Sequence, residues 1–333
     1  MTPFESHIVA PSAAFQQQRA GMLALVGEMQ ALEQRAAAAS ARAAPSFAKR
    51  KALLPRERFS RLLDPGQPLL HIANLAGYGL DDPNPDTCLP GGSLLAGIGF
   101  VSGVRCMVVA TDSGIDAGAM TESGNQKLLR CQDIALENKL PFVHLVESAG
   151  ANLRKYRVDK FVRGGAIFYN LARLSAAGLP VITVVHGSST AGGAYMPGLS
   201  DYVVMVRQQA KAFLAGPPLL KAATGEIATD EELGGTDMHA SVSGLAEYVA
   251  ENDAHAILIA RDILAQLPWQ RGAAPLPHAA PRLDPEDLAG VMVLEHRKPM
   301  DMREVIARLV DDSAWLDFKP GYGPATVCGH GRA

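Results

Sequence analysis

The sequence predicts an α/β protein built on a parallel sheet, and three observations carry that reading. Short apolar runs rich in β-branched residues alternate with longer helix-like segments from about residue 94 to residue 206. Strands that alternate with helices favour a parallel sheet, with ligands outside the carboxyl ends of the strands. Two of these runs end in turns made almost entirely of small residues, Ser148-Ala149-Gly150-Ala151 and Thr190-Ala191-Gly192-Gly193-Ala194. The chain, with 333 residues that are 48% hydrophobic and 20% charged, is long enough to bury a sizeable core.

Residues 14–43 are rich in Ala, Gln and Glu, with recurrent apolar positions such as Met22, Leu25, Val26 and Met29. This predicts an amphipathic helix that packs on the protein body or on a sister subunit. Residues 51–63 predict a second short helix begun by Pro55, since proline suits the first helical turn. Its Arg56 and Arg58 read equally well as phosphate ligands or as a solvated face. Strands are expected at 94–101 and 105–111, joined by the hairpin signal Ser102-Gly103. A helix at 125–137 then leads to a strand at 142–146, and a helix at 165–176 leads to a strand at 181–185. The strand at 202–206 follows. A helix is expected over 245–265, a proline-rich linker over 267–285, a last helix over 303–310 and a strand-like end at 325–328.

The stretch PVITVVHGSSTAGGAYMP at 180–197 holds the sharpest chemical signal. Ser188, Ser189 and Thr190 are placed to cap a helix whose first turn is Ala191–Ala194. Unpaired amide N–H groups at such a turn attract an anion or a developing oxyanion, and glycine lets that oxygen come close. The turn after strand 142–146 falls at the same edge of the predicted sheet. Two convergent turns of this kind point to an oxyanion site made from backbone. Glu147 is the only carboxylate directly at a turn, and His239 reads as a structural histidine.

The remaining signals exclude classes. A formal charge of -3 and the lack of a long basic run speak against nucleic acid, and no apolar stretch has the length of a membrane span. The N-terminus lacks the pattern of a secretory signal, so the expected location is cytoplasmic. Cys88, Cys106, Cys131 and Cys328 stand singly, which fits neither a zinc ribbon nor a disulfide framework, and no metal is expected. No Gly-x-Ser-x-Gly elbow, HExxH site, Walker loop or Gly-x-Gly-x-x-Gly opens a helix.

The segments GGAIFYNLARLSAAGLP, GSSTAGGAYMPGLSDYVVMV, FLAGPPLLKAATGE and EELGGTDMH together resemble the carboxyltransferase (beta) subunit of biotin-dependent acyl-CoA carboxylases. SAGANL at 148–153 and STAGGAY at 189–195 resemble the methylcrotonyl-CoA and geranyl-CoA carboxylase branch, in its N-terminal half. The resemblance implies a crotonase-like fold of repeated ββα units with N-terminal helices. It implies transfer of CO2 from carboxybiotin, carried on a partner subunit, to a branched acyl-CoA through an enolate held by backbone N–H groups. The motif match puts the catalytic donors at Gly150, Ala151, Gly192, Gly193 and Ala194. It puts substrate contacts at Ser148, Ala149, Asn152, Gly164, Gly165, Thr190 and Tyr195. A biotin carboxylase with its biotin carrier and a homo-oligomer are the implied partners.

The same resemblance divides the chain into an N-terminal helical segment (1–65), a crotonase-like domain (66–266), a linker (267–299) and the start of a second domain (300–333). The last of these resembles the opening of the domain that supplies the biotin side of the site, so the chain is expected to bind acyl-CoA better than it transfers CO2. Two other expectations stand beside this one: a CoA-thioester decarboxylase or hydratase on the same oxyanion site, and a catalytically silent CoA-binding module. Gly164 takes the place of an aromatic residue in methylcrotonyl-CoA carboxylases, which leaves space for a longer acyl chain.

Overall fold

The computed structural model describes residues 2–151, 158–269, 278–295 and 297–332. Two compact units emerge, one formed by Leu32–Gly272 and the other by Met1–Ala31 with Ala273–Ala333. The smaller unit opens with strand β1 (Thr2–Pro3) and takes in the first part of helix α1 (Ala13–Ala41). The helix is where the sequence predicts it, but it is not cleanly two-faced. Leu23, Leu25 and Met29 are exposed, and the buried positions are Phe15, Ala36 and Ser40 near its ends.

In the larger unit, helices α2 (Ala44–Lys49) and α3 (Pro55–Leu62) precede the short strand β2 (Leu70–His71). Strands β3 (Leu94–Val101) and β4 (Val104–Thr111) form the hairpin that Ser102-Gly103 predicts, with both turn residues at positive φ. Helix α4 (Glu122–Glu137), capped by the Thr121 hydroxyl, leads to β5 (Phe142–Ser148). Helices α5 (Val158–Gly164) and α6 (Ala166–Ala176) lead to β6 (Val181–Thr190). A 3-10 turn, Ala191–Ala194, and the four-residue α7 (Tyr195–Gly198) come next, then β7 (Tyr202–Val206) and β8 (Lys211–Phe213). Helices α8 (Pro217–Thr224), α9 (Asp230–Gly234) and α10 (Thr236–Met238) precede β9 (Tyr248–Ala250) and α11 (Asp253–Gln266).

The sheet runs β2-β3-β4-β5-β6-β7-β9, with β8 paired to the far end of β6. The β2–β3 and β3–β4 pairs are antiparallel, and every pair from β4 onward is parallel. Alternation along each strand splits the core in two. On one face Val143, Leu145, Ile182 and Val184 pack with Phe59 and Leu62 of α3 and Ile257 and Leu264 of α11. On the other, Phe142, Val146 and Val181 pack with Leu128 and Cys131 of α4 and Ile167 and Leu171 of α6.

Some predicted boundaries move. The helix expected over 245–265 is two elements, because Tyr248, Val249 and Ala250 extend the sheet beside β7 and the Asn252 side chain then caps α11 through the His255 N–H. In the smaller unit, helix α12 (Leu288–Val291) precedes α13 (Met302–Ile306), which is shorter than the expected 303–310. Strand β10 (Ala314–Asp317) pairs with β1 and with β11 (Gly329–His330), so the terminal strand lies just beyond the expected 325–328. Residues 270–277 of the expected linker lie outside the described residues. Among the described residues no helix is long and apolar enough to cross a membrane.

Candidate active site

Strands β5 and β6 run in parallel and deliver their carboxyl ends to the same edge, with Phe142 opposite Val181 and Val146 opposite Val185. The register then slips, so that Ser148 lies opposite Ser189. Extra residues on β6 form a bulge, a device that re-aims the end of a strand. Beyond it the two small-residue turns touch. A Cβ on Gly150 would stand 3.1 Å from the Thr190 carbonyl and 3.4 Å from the Ala191 Cβ. A Cβ on Gly193 would stand 3.2 Å from Ser189 Oγ and 3.3 Å from Ser148 Cβ. Gly150 has φ +81° and Ala191 φ +51°, whereas Gly193 needs no positive φ. Glycine is therefore favoured at 150 by backbone conformation and at 193 by proximity.

Side chains brace the turns from within. Ser148 Oγ donates to the Gly118 carbonyl at 2.9 Å and accepts from the Gly150 N–H at 3.1 Å. Ser189 Oγ donates to the Gly193 carbonyl at 2.8 Å. The loop at 116–120 is laced to β5 by Met120 N–H to the Gly150 carbonyl and Ala149 N–H to the Ala117 carbonyl. The expected helix cap is not formed: Ser188, Ser189 and Thr190 belong to β6, and Thr190 makes no side-chain cap. With only a 3-10 turn and a four-residue helix behind Gly193, the amides themselves carry more of any anion affinity than a helix dipole does.

The remaining predicted residues fall around this edge. Ala151 bridges to Met120, and Asn152 lies outside the described residues. The Tyr195 ring lies on Phe168, with centroids 4.7 Å apart, and a Cβ on Gly192 would stand 3.8 Å from Phe168 Cζ. Gly164 ends α5, where its Cβ position is 3.2 Å from Asn125 Nδ2. Gly165 follows, with the Val162 carbonyl 3.2 Å from its Cβ position.

The carboxylate at the turn faces the other way. Alternation sends Glu147 to the face opposite Ser148, where its oxygens meet Arg50 at 2.5 Å, Arg58 at 2.6 Å and Ser113 Oγ at 2.9 Å. Burial alone would raise its pKa, but the Arg58 and Arg50 guanidiniums outweigh that and hold it below the usual carboxylate range. Arg58, only 2% exposed, continues to Asp253 at 3.0 Å, and Asp253 meets His186 Nδ1 at 2.7 Å. Arg58 is thus an internal counter-charge and neither a solvated nor a phosphate-binding residue. Glu147 is not presented to the glycine turns as an acid or base, as a hydratase would need. His239 is held through both ring nitrogens, by Ser243 Oγ and the Ala212 carbonyl, as a structural histidine would be.

A cavity of about 30 Å³ lies behind the turns, lined by Gly193 and Ser148 together with Met120, Asn125, His144 and Met196. His144 escapes sequence reasoning because nothing marks one histidine in an apolar strand. The available signal was parity with Ser148, which puts both on one face of β5.

Residues 48–333 match the carboxyl transferase domain family. The chain belongs to that family. It is 49% identical over 281 residues to the probable biotin-dependent acyl-coenzyme A carboxylase beta2 subunit of Mycobacterium tuberculosis, covering 84% of this chain and 52% of that one. It is 39% identical over 349 residues to the probable mitochondrial methylcrotonoyl-CoA carboxylase beta chain of Drosophila melanogaster, covering 98% of this chain and 60% of that one. Among solved structures, the beta subunit of Pseudomonas aeruginosa geranyl-CoA carboxylase superposes with TM-score 0.90 at 49% identity, over 99% of this chain and 62% of that one. The fold expected from the resemblance, the crotonase-like fold of carboxyltransferases, is therefore the fold observed. The chain spans little more than half the length of these relatives.

Proposed function

We propose that this chain builds the acyl-CoA side of a biotin-dependent carboxyltransferase acting on a branched acyl-CoA of the methylcrotonyl-CoA or geranyl-CoA type. The observation that carries the proposal is the contact of the Gly150 and Gly193 turns at the ends of two paired parallel strands. A thioester oxygen seated there would accept from amides of Gly150-Ala151 on one side and Gly192-Gly193-Ala194 on the other. The Gly150 N–H, which now donates to Ser148 Oγ, would exchange that bond for the stronger one to a developing oxyanion. Holding the charge on that oxygen lowers the barrier to removing a γ-proton of the α,β-unsaturated thioester, which leaves a dienolate, and losing one such donor costs about 2.7–4 kcal/mol.

Carboxybiotin, when bound, would supply the CO2 and then accept the substrate proton. A partner biotin carboxylase with its carrier, and self-association into a homo-oligomer, belong to the same reading. The test is to supply the chain, within its full-length subunit, with a biotin carboxylase, a biotin carrier, bicarbonate, ATP and acyl-CoA. Carboxylated acyl-CoA is the expected product. Thioester binding without any carboxylated product would favour a silent binding module.

A further inference from the structure

The cavity behind the glycine turns is lined mainly by apolar groups and by the hydroxyl side chains of Ser93, Thr111 and Ser148, and two further polar residues in its lining carry buried atoms without a hydrogen-bond partner. His144 is 3% exposed, and neither its Nδ1 nor its Nε2 has a hydrogen-bond partner among the described residues. Asn125 is half-buried as a residue, but its Oδ1 is itself buried and has no partner among the described residues. Both residues line the same cavity, at whose rim lie Ser148 and Gly193. Buried polar groups are nearly always satisfied, so two orphans converging on one cavity point to a ligand atom that completes them.

The chemistry of the lining narrows that atom. Among the described residues no Asp, Glu, Lys or Arg lines the cavity, so a carboxylate or an ammonium would be buried without a counter-charge. Burial pushes the His144 pKa down to about 3, so the ring stays neutral and offers one N–H donor and one acceptor nitrogen. Asn125 Oδ1 is an acceptor. A carbonyl or ether oxygen would satisfy the histidine donor and leave both acceptors unpaired. A hydroxyl donates and accepts at once, and so satisfies the donor and one of the two acceptors. The volume, about 30 Å³, holds one oxygen with little carbon beside it.

We infer that the cavity is a hydroxyl subsite of the acyl pocket, in which His144 and Asn125 select a branched acyl-CoA bearing a hydroxyl on its acyl chain. The inference rests on the proposed acyl-CoA site and adds a substrate class to it. His144 donates to the hydroxyl oxygen, and the hydroxyl proton goes to Asn125 Oδ1 or to the free imidazole nitrogen. Gly164 contributes indirectly: a side chain there would press on Asn125 and disturb the subsite.

The experiment is a calorimetric titration of this chain with two matched pairs of thioesters. The pairs are 3-methylcrotonyl-CoA with its 4-hydroxy analogue, and geranyl-CoA with its 8-hydroxy analogue. In at least one pair the hydroxylated member should bind about tenfold tighter, the scale of one satisfied buried hydrogen bond. His144→Phe and Asn125→Leu should each bring that ratio close to one, while His144→Gln, which keeps a donor and an acceptor, should retain most of it. Equal binding within both pairs means that the cavity holds only water and overturns the inference. So does a ratio that survives both apolar variants. If His144→Phe does not fold, the Asn125→Leu ratio decides. Because binding is read directly, absence of turnover with all four thioesters would sink the carboxyltransferase reading without touching this ratio, and failure of every thioester to bind would sink both.

Discussion

Ser148 and Gly193 face each other across two paired strands so closely that a Cβ on Gly193 would lie 3.3 Å from the Ser148 Cβ. Gly193→Val would wedge the turns apart at their point of contact. Because Gly193 needs no positive φ, the effect is one of space and not of backbone strain. Transfer should fall by a factor of at least about 10², the loss typical of one misplaced oxyanion donor. Far-UV circular dichroism should stay native. Full activity in the variant would reduce the turn to a packing corner.

Gly150→Ala tests the other turn by a different mechanism. At φ +81° an L-residue costs about 1–2 kcal/mol, and the new methyl would press on the Thr190 carbonyl at 3.1 Å. Urea unfolding should report that loss, together with a fall in kcat/KM. A variant as stable and active as the parent would show that the segment relaxes freely.

The buried ion network predicts acid sensitivity. Glu147 and Asp253 have depressed pKa values in the folded protein, so their stabilisation is present above the unfolded values of about 4 and is lost as pH falls through the lower folded ones. His144, folded near 3, works in the same direction: its contribution is whole above about pH 6.5 and declines as pH falls toward 3. Stability measured by urea titration should therefore decrease from about pH 6.5 downward. Glu147→Gln should cost about 1.5–3 kcal/mol at pH 7, because Arg58 keeps Asp253 but loses its charge-assisted bond to Glu147. A flat profile, or a loss under about 1 kcal/mol, would mean that water compensates the arginines.

Gly164→Phe tests the acyl chain. On the proposed reading, the ring would extend from a Cβ already 3.2 Å from Asn125 Nδ2 into space that a longer acyl chain would use. An apolar pocket gains about 0.8 kcal/mol per buried CH2, so kcat/KM for geranyl-CoA should fall at least tenfold relative to that for methylcrotonyl-CoA. Equal losses for both substrates would make Gly164 a packing glycine.

Much of the sheet was legible because strands buried on both faces leave continuous apolar runs, as at 142–146 and 181–185. The convergence of the turns followed from strand direction alone. Strand β9 was not legible: Tyr248-Val249-Ala250 is too short to show a period, and only its partner β7 makes it a strand. The bulge between Val146 and Ser148 has no local signature either, since it records a mismatch between two strands far apart in sequence. Arg58 was misjudged for a related reason. A charge beside other charges looks solvated until the carboxylates that enclose it arrive from residues 147 and 253.

Gly187 and Glu147 carry a consequence for how the chain could be shortened. The Glu147 carboxylate sits within 2.6–2.8 Å of where a Gly187 Cβ would be, so the sheet itself is shaped around that anion. The cations that answer it, Arg50 and Arg58, come from the segment before the sheet. A fragment beginning after α3 would retain every strand of the eight-stranded sheet and both glycine turns, yet it would enclose Glu147 and Asp253 without the arginines that pair with them. The smallest autonomous version of this site thus has to include Arg50 and Arg58, which bond Glu147 on the face of its strand opposite Ser148.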